Sequence, residues 1–292
     1  MRYPVILYLL CYSLFLSEYV HAEGKPTIRW LTWKQAPNFI IEGRFKGQGV
    51  AGTFTKHLQD NLPQYNHINV LSNTRRYQSL IKEKDVCVAW AWIVPGSEKY
   101  RIHSRAVSLA PRSGIQILKS KQHLFGEPGT TLSLEKLLTN LDLKLGYLED
   151  MTYSKRVHEL LEKNRNKGNI HFSSRNAVEF NLSMLDRGHL DYFFSFSAQA
   201  NFNAALKGIK NKYQFYNIEE MDLYTSMHTH CSKTPFGKQV MSEIEKILTN
   251  DALMTHLSVI EKWHGENKEY RDVFIKYVIN RETTTVVTNP GQ

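Results

Sequence analysis

The chain lacks the motifs that mark most enzyme classes. It has only three cysteines in 292 residues and no GxSxG, HExxH, Walker A or CxxC pattern. After the first 22 residues no segment is apolar enough to cross a membrane, which takes about 20 residues in succession. These absences argue against a serine hydrolase, a zinc peptidase, a P-loop protein, a thiol oxidoreductase and an integral membrane protein, and no cofactor is predicted.

The N-terminus has the pattern of a secretory signal peptide. In residues 1–22, MRYPVILYLLCYSLFLSEYVHA, Arg2 precedes an apolar run, and short residues precede a cleavage point after Ala22. Lipoprotein processing at Cys11 is not expected, because leucine precedes it where a small residue is needed. We therefore predict an exported, periplasmic protein.

The formal net charge is +9, and the signal segment leaves it unchanged because it contains one basic and one acidic residue. Lysine and arginine are spread along the chain without a dense run. For an exported protein, a solvated basic surface or an anionic ligand explains this charge better than nucleic acid.

Two cysteines remain after cleavage, Cys87 and Cys231. In an oxidising compartment such a pair is more often bridged than free. If a disulfide forms, its connectivity is fixed, since each cysteine has one available partner.

Hydrophobic patterning predicts two series of alternating strands and helices, with a final helical return to the first series. Such alternation favours parallel sheets covered by helices, whose ligands bind at the carboxyl ends of strands and between domains. The predicted strands are 27–33, 67–71, 85–91, 106–110, 114–118, 144–148, 169–172, 190–194, 213–216 and 223–230, and the predicted helices are 50–62, 75–84, 153–166, 177–185, 236–248 and 252–263.

The stretch 85–101, DVCVAWAWIVPGSEKYR, runs from a buried strand into an aromatic turn. Trp90 lies within the strand and is predicted to belong to the core, which is the default for an aromatic residue. Trp92 follows the strand, at the end where a ligand cleft would open. We therefore predict that Trp92 lines the cleft.

Five segments resemble the family 3 extracellular solute-binding proteins, the amino-acid-type receptors of ABC transporters. They are APNF at 36–39, SLIKEKDVCVA, EKYRIHSRAVSLAP, LKLGYLEDMTYS and LDRGHLDYFFS, in the family's order and spacing. The resemblance covers most of residues 27–265. It implies a type II α/β fold of two lobes, each a mixed, mostly parallel sheet flanked by helices, with two hinge crossings. Lobe 1 would comprise 23–112 and 222–282, lobe 2 would comprise 113–221, and 283–292 would be a disordered tail.

The resemblance also implies ligand-binding roles. Arg101 precedes Ser108 by seven residues, the family spacing of an arginine that grips a ligand carboxylate, for which a guanidinium is well shaped. The alternative is a surface arginine paired with Glu98. Thr152 stands where the family places a hydroxyl and free amides at a helix start, and a helix N-cap is compatible with that role.

Two departures from the family pattern bear on the ligand. Phe194, Ser195 and Phe196 replace the aspartate that pairs with an amino acid's ammonium, and Asn73 replaces a stacking aromatic, with Arg75 and Arg76 following. These residues favour an anionic or neutral solute with an apolar body over a zwitterionic amino acid. The predicted ligand-binding residues are Trp33, Asn73, Arg76, Trp92, Arg101, Thr152, Tyr153 and Phe196.

In the resembling fold the returning strand lies beside the third strand, which implies a disulfide between Cys87 and Cys231 within lobe 1. A metal site at His228, His230 and Cys231 is the alternative. An ordinary half-exposed strand is the favoured interpretation, because Cys231 alternates to the opposite face and no third ligand is near in sequence.

The function predicted from the resemblance is a non-enzymatic, monomeric solute-binding protein for ABC-type uptake or sensing, without a cofactor. Its partners would be a small, carboxylate-bearing solute and an inner-membrane permease or sensor protein. One alternative is a dehydratase-like lyase on the same fold, with Glu149 and Asp150 as the candidate acid–base groups. The other is the ligand-sensing module of a signalling system.

Overall fold

The computed structural model describes residues 24–72, 74–83, 85–94, 96–111, 113–148, 153–173, 178–209, 212–221, 224–284 and 287–288. The predicted signal peptide and the candidate residues Asn73, Glu149, Asp150 and Thr152 lie outside these ranges. No helix in the described part of the chain combines the length and apolar character needed to cross a membrane.

The described residues form two β-sheets flanked by helices. The strands are β1 (Thr27–Thr32), β2 (Asn66–Leu71), β3 (Val86–Ala91), β4 (Arg101–Pro111), β5 (Gly114–Leu118), β6 (Leu145–Leu148), β7 (Ile170–Ser173), β8 (Tyr192–Ser195), β9 (Tyr213–Tyr216), β10 (Tyr224–Ser232) and β11 (Val287–Thr288). The helices are α1 (Val50–Asp60), α2 (Thr74–Leu80), α3 (Leu134–Thr139), α4 (Lys155–Asn164), α5 (Val178–Asp186), α6 (Ser197–Leu206), α7 (Pro235–Ile247), α8 (Asn250–His264) and α9 (Lys268–Phe274).

Lobe 1 is built on a mixed sheet with strand order β2–β1–β3–β10–β4, and the short β11 also pairs with β10. β1 runs parallel to β2 and β3, whereas β10 runs antiparallel to β3 and β4. Its core includes Trp30 of β1 and the apolar stripe of α1, Val50, Phe54 and Leu58, which repeats every four residues as predicted.

Lobe 2 repeats this plan with strand order β7–β6–β8–β5–β9. β6 is parallel to β7 and β8, and β5 is antiparallel to β8 and β9. The lobe has its own core, in which Ile115, Leu145 and Phe194 pack beneath the helices. The predicted fold class of two lobes with mixed sheets is therefore confirmed.

The disulfide between Cys87 and Cys231 is present and joins β3 to β10. The two cysteines stand directly opposite each other in the ladder, with their Cα atoms 4.1 Å apart. Cys87 lies in β3, in the part of lobe 1 that precedes the first crossing, and Cys231 lies in β10, the strand on which the chain returns. The bridge therefore links the two separate parts of lobe 1.

The chain passes between the sheets twice, from β4 to β5 and from β9 to β10. The predicted lobe boundaries stay predictions, because Arg112 and Asp222 lie outside the described residues. The lobes are also joined by side-chain packing. Phe202 of α6 packs against Phe45 and Trp263 of lobe 1, with ring centroids 6.2 Å and 5.5 Å apart.

Two parts of the fold differ from the sequence prediction. β4 begins at Arg101, five residues earlier than predicted, because the backbone from there pairs with β10, with register shifts on either side of His228. Val287 and Thr288 form a strand beside Tyr224 and Thr225, so the predicted disordered tail 283–292 does not hold for these two residues. They occupy a part of the β10 edge that β3 does not reach.

Candidate ligand-binding cleft

One edge of the lobe 1 sheet collects polar and aromatic side chains. Because β1, β2 and β3 are parallel, their carboxyl ends meet at the same edge. The chain leaves β1 into Trp33 and Lys34, β2 into Ser72 and β3 into Trp92, while Arg76 lies in the first turn of α2. We call these five residues the cleft edge, since α/β sheets bind ligands at this end of their strands.

Lys34, Leu71, Ser72 and Arg76 line a shallow cavity of about 290 Å³ at the cleft edge. Lys34 forms an ion pair with Glu42, and the side chain of Arg76 is exposed. Leu71 adds apolar surface, being 52% exposed. Two basic groups and a hydroxyl around one cavity provide charge-assisted donors for an anion.

Ser72 is the member of this cavity that lacks a partner. It is only 8% exposed, and its Oγ has no hydrogen-bond partner among the described residues. Buried hydroxyls are almost always hydrogen-bonded, and leaving one unsatisfied costs about 1–3 kcal/mol. A solute oxygen in the cavity would supply the missing bond. Sequence reasoning missed Ser72, whose only signal was its place at the end of β2.

Aromatic residues form one side of the cleft edge. The segment 36–39 contains a cis Ala36–Pro37 bond and turns Phe39 back against Trp33, with ring centroids 4.7 Å apart. Trp33 also packs edge-on against Tyr77 at 5.5 Å and donates from Nε1 to Gln35 Oε1 at 2.6 Å. Trp33 is therefore a half-buried part of the wall.

Trp90 in β3 and Trp92, which follows β3, differ in exposure. Trp90 is 6% exposed and belongs to the lobe 1 core. Trp92, two residues further on, is 45% exposed at the cleft edge. An exposed tryptophan offers a large apolar face that a solute or the opposite lobe can cover.

Arg101, predicted to grip a solute carboxylate, lies inside lobe 1. It is 2% exposed. Its backbone pairs with Ser232, next to the position where Cys231 faces Cys87 near the start of β3. The spacing to Ser108 gives only the distance of Arg101 along the chain. Its position along the strands of the sheet is set by the pairing of β4 with β10.

The guanidinium of Arg101 is held by aromatic and histidine neighbours. Nη1 donates to Tyr77 Oη at 3.1 Å and lies 3.4 Å from His230 Nδ1. The group also stacks over the rings of Tyr77 and Tyr100, at 5.4 Å and 5.2 Å from their centroids. In this arrangement Arg101 contacts α2 through Tyr77, and Lys34 and Arg76 are the exposed basic residues of the cavity at the cleft edge.

The lobe 2 candidates separate in the same way. Tyr153 is 5% exposed and packs against Tyr147 and Phe194 at 5.3 Å and 4.8 Å, so it is a core residue and not a wall of the cleft. Phe196 follows β8 directly and is half-buried at the start of α6. Because β6 and β8 are parallel, Phe196 lies at the carboxyl edge of the lobe 2 sheet.

The helix that follows the predicted Thr152 site begins later in the chain. Ser154 is the N-cap of α4, since its Oγ accepts from the backbone N–H of Val157 at 3.2 Å. The same hydroxyl donates to the carbonyl oxygen of Glu220 at 2.7 Å. Ser154 is therefore the cap of this helix, and the role predicted for Thr152 lies outside the described residues.

The metal alternative at His228, His230 and Cys231 loses its thiolate ligand, because Cys231 is in the disulfide. Among the described residues no group of three histidine, cysteine, aspartate or glutamate side chains is arranged to hold a metal ion.

The sequence around the cleft edge is strongly basic. Residues 23–112, which form β1 to β4, contain 14 lysines and arginines against six acidic residues. Residues 113–221, which form lobe 2, contain 14 against 12. The surplus of positive charge is thus on the side of lobe 1, where it raises the local concentration of anions.

Comparisons with known proteins identify the fold. No protein-family model matches the chain, and no curated protein matches it. Solved structures do match, among them the probable amino-acid ABC transporter extracellular-binding protein YtmK of Bacillus subtilis, with a TM-score of 0.58, 16% identity, and coverage of 83% of this chain and 100% of that one.

Two further structures extend this likeness. A putative L-cystine ABC transporter protein of Listeria monocytogenes has a TM-score of 0.55 and 18% identity, covering 82% of this chain and 96% of its own. The periplasmic VFT2 domain of Bordetella pertussis BvgS has a TM-score of 0.52 and 12% identity, covering 82% and 92%. The chain therefore has the type II periplasmic binding fold.

Proposed function

We propose that the protein is a periplasmic solute-binding protein that closes its lobes around a small anion, for ABC-type uptake or for sensing. The observation that carries this proposal is the cavity at the cleft edge, where the unpartnered hydroxyl of Ser72 lies beside Lys34 and Arg76. The fold supports it, since proteins named as ABC transporter binding proteins and a BvgS periplasmic domain share it.

The proposed solute has a carboxylate or similar anionic group and an apolar body. Phe194 and Ser195 are each 1% exposed and Phe196 is half-buried, so this segment brings no acid to pair with an ammonium. A buried ammonium without a carboxylate partner retains a desolvation cost of several kcal/mol. Zwitterionic amino acids should therefore bind poorly, although two of the similar structures are named for amino-acid or cystine transport.

Closure would bring Phe196 of lobe 2 towards Trp92 of lobe 1, because each residue follows a strand at the carboxyl edge of its sheet. The chain crosses between the sheets only at the β4–β5 and β9–β10 connections in the described structure. Rotation at these two connections is the hinge movement that would trap a solute. A permease or a membrane sensor would then recognise the closed form.

A thermal-shift screen of organic acids, aromatic carboxylates, short peptides and the standard amino acids tests the proposal. We expect anionic compounds to raise Tm and plain amino acids to have little effect. A large upward shift with a plain amino acid alone would contradict the ligand class. The solute recovered after incubation should be unchanged, whereas a converted product would indicate a lyase.

Calorimetry with the best compound from the screen then locates the site. Arg76→Ala should weaken binding at least tenfold, since a hydrogen bond to a charged group contributes about 1.5–3 kcal/mol. Arg187→Ala removes the same charge from an exposed turn of lobe 2 and is the matched control. Equal affinities in the two variants would place the site elsewhere.

A further inference from the structure

Lobe 1 contains a cluster of basic side chains beneath the cleft edge, three of them buried and the fourth, His103, half-buried. His103 on β4 and His230 on β10 meet with ring centroids 4.5 Å apart, and His228 lies 6.4 Å from His230. Arg101 completes the cluster through its 3.4 Å contact with His230 Nδ1. His228, His230 and Arg101 are 7%, 0% and 2% exposed. We call these four residues the basic cluster.

Few acidic groups balance the basic cluster. Within the described residues, the carboxylates that act on its histidines are Glu98, which follows β3 and faces His103, and Glu245 of α7, which faces His228. Lys233 beyond β10 acts on His103 with the opposite sign. Tyr77 of α2 and Tyr100 contribute rings to Arg101 and no negative charge. A further proton in this cluster would thus be poorly compensated.

The hydrogen bonds of His230 define its neutral tautomer. Nε2 lies 3.1 Å from the carbonyl oxygen of Ala91, which can only accept, so Nε2 carries the proton. Nδ1 then has the lone pair that accepts from Arg101. Protonation of Nδ1 would remove this hydrogen bond, because the protonated His230 ring and the Arg101 guanidinium would then be two positively charged donors facing each other.

The basic cluster contacts the cleft edge from two directions. Ala91, whose carbonyl oxygen accepts from His230, immediately precedes the exposed Trp92. Tyr77, which accepts from Arg101, packs against Trp33 and follows Arg76 in α2. Loss of the hydrogen bond between His230 and Arg101 would therefore affect both α2 and the β3 exit, which is the segment where the chain leaves β3 at Ala91 and Trp92.

We propose that the basic cluster is a proton-operated lock: while its histidines are neutral it holds α2 and the β3 exit in place, and acidification releases them. The release would loosen the cleft edge without unfolding lobe 2. This inference goes beyond solute binding and stands on the lobe 1 contacts alone.

The direction of the effect follows from linkage. Burial lowers the pKa of His230 well below 6.5, with His103, Arg101 and His228 adding to the effect, and burial and the same kind of neighbours lower the pKa of His103 to about 4. Once released, the histidines regain an ordinary pKa near 6.5. The locked state binds fewer protons, so its advantage is complete above about pH 6.5 and falls as pH drops below that value.

Amide hydrogen exchange of the unliganded protein at pH 7 and pH 5, corrected for intrinsic rates, tests the lock. One histidine that is neutral when locked and has a pKa of 6.5 when released raises the open-to-closed ratio roughly 20-fold between these pH values. We expect this loss of protection in peptides covering Thr74–Leu80 and Val86–Ala91. A peptide covering Lys155–Asn164 of lobe 2 should change little.

H230Q is the informative variant, because glutamine can donate to Ala91 and accept from Arg101 without titrating. Its pH-dependent loss in the two lobe 1 peptides should be at least fivefold smaller than in wild type. H171Q changes an exposed histidine of β7 in lobe 2, outside the cluster, and should keep the wild-type response. If H230Q does not fold, H103N replaces it under the same criterion.

Three results would overturn the lock. They are wild-type peptides that stay protected at pH 5, an H230Q response equal to wild type, and a parallel loss of protection in lobe 2. The last result would show that acid unfolds the whole protein instead of releasing one edge.

Discussion

The two lobes share one architecture but differ in what their interiors contain. Lobe 1 holds the disulfide and, among the described residues, every histidine whose pKa is lowered by burial: His57, His103, His228, His230, His256 and His264. Residues 113–221, which form lobe 2, have no cysteine; His123, His171 and His189 there are exposed, and His158 is half-buried. The same fold can therefore depend on oxidation and pH in one half and not in the other.

The sequence also supplies a way to observe the two lobes separately. All five tryptophans, Trp30, Trp33, Trp90, Trp92 and Trp263, lie in the parts of the chain that form lobe 1. Tryptophan fluorescence therefore reports lobe 1, whereas far-UV circular dichroism reports both lobes. A change that destabilises only lobe 1 should therefore separate the fluorescence transition from the circular dichroism transition.

Loss of the disulfide should have the largest effect. The bridge closes a loop of 144 residues that contains all of lobe 2. The chain-entropy model gives about 4–5 kcal/mol for such a loop, and less if lobe 2 stays folded and shortens the effective loop. In urea, Cys87→Ala with Cys231→Ala should shift the fluorescence transition well below the dichroism transition.

Reduction by a thiol should reproduce this shift in wild type and do nothing further to the double variant. Coincident transitions in the double variant would show that the lobes unfold as one unit, and the comparison between them would fail.

The contact made by Phe202 should have the next largest effect, because it joins the lobes. Phe202 is carried by α6 of lobe 2 but is buried in the lobe 1 core beside Phe45 and Trp263. Removing a buried phenylalanine side chain costs about 3 kcal/mol or more. Phe202→Ala should lower the free energy of unfolding by that amount and separate the two transitions.

Phe180→Ala is the control, since Phe180 is 53% exposed on α5 and its loss should cost under about 0.5 kcal/mol. If Phe202→Ala lowered both transitions equally and kept them coincident, the contact would not be the coupling element.

Patterns along the chain predicted the parts of the molecule that neighbouring residues determine. The two βα series, the burial of Trp90 and the exposure of Trp92 follow from periodicity and strand length, and the pairing of Cys87 with Cys231 followed from the resemblance. The level of Arg101 in the sheet could not be predicted, because it depends on the register of β4 against β10. Ser72 could not be predicted either, because a serine at a strand end is common in sequences. It becomes distinctive only in the structure, where its buried hydroxyl has no hydrogen-bond partner among the described residues.

Acid should destabilise lobe 1 more than lobe 2, and each buried histidine should contribute less to this difference than the disulfide or Phe202 does. Burial lowers the pKa of His256 to about 3, so the folded state resists a proton that the unfolded state accepts near pH 6.5. The stability that the neutral His256 contributes is complete above pH 6.5 and is lost as pH falls. The loss is about 2 kcal/mol at pH 5.

His256→Gln should therefore reduce the loss in free energy of unfolding between pH 7 and pH 5 by about 2 kcal/mol, seen by fluorescence. His171→Gln, at an exposed position of β7 in lobe 2, should leave the wild-type loss unchanged. Equal pH dependence in wild type and His256→Gln would mean that other groups control the acid sensitivity of lobe 1.

Helix caps provide the smallest and best matched comparison, with one residue in each lobe. Thr249 caps α8 in lobe 1 by accepting from the N–H of Ala252, and Ser154 caps α4 in lobe 2 by accepting from Val157, each at 3.2 Å. Replacing either by alanine should cost about 1 kcal/mol. Each substitution removes one capping contact, and Ser154→Ala also removes the hydrogen bond to the carbonyl oxygen of Glu220. Thr249→Ala should move the fluorescence transition, and Ser154→Ala should move only the part of the dichroism signal that fluorescence does not follow. If Ser154→Ala moved fluorescence equally, a perturbation in lobe 2 would reach lobe 1 in full, and the lobes would be a single cooperative unit despite their different interiors.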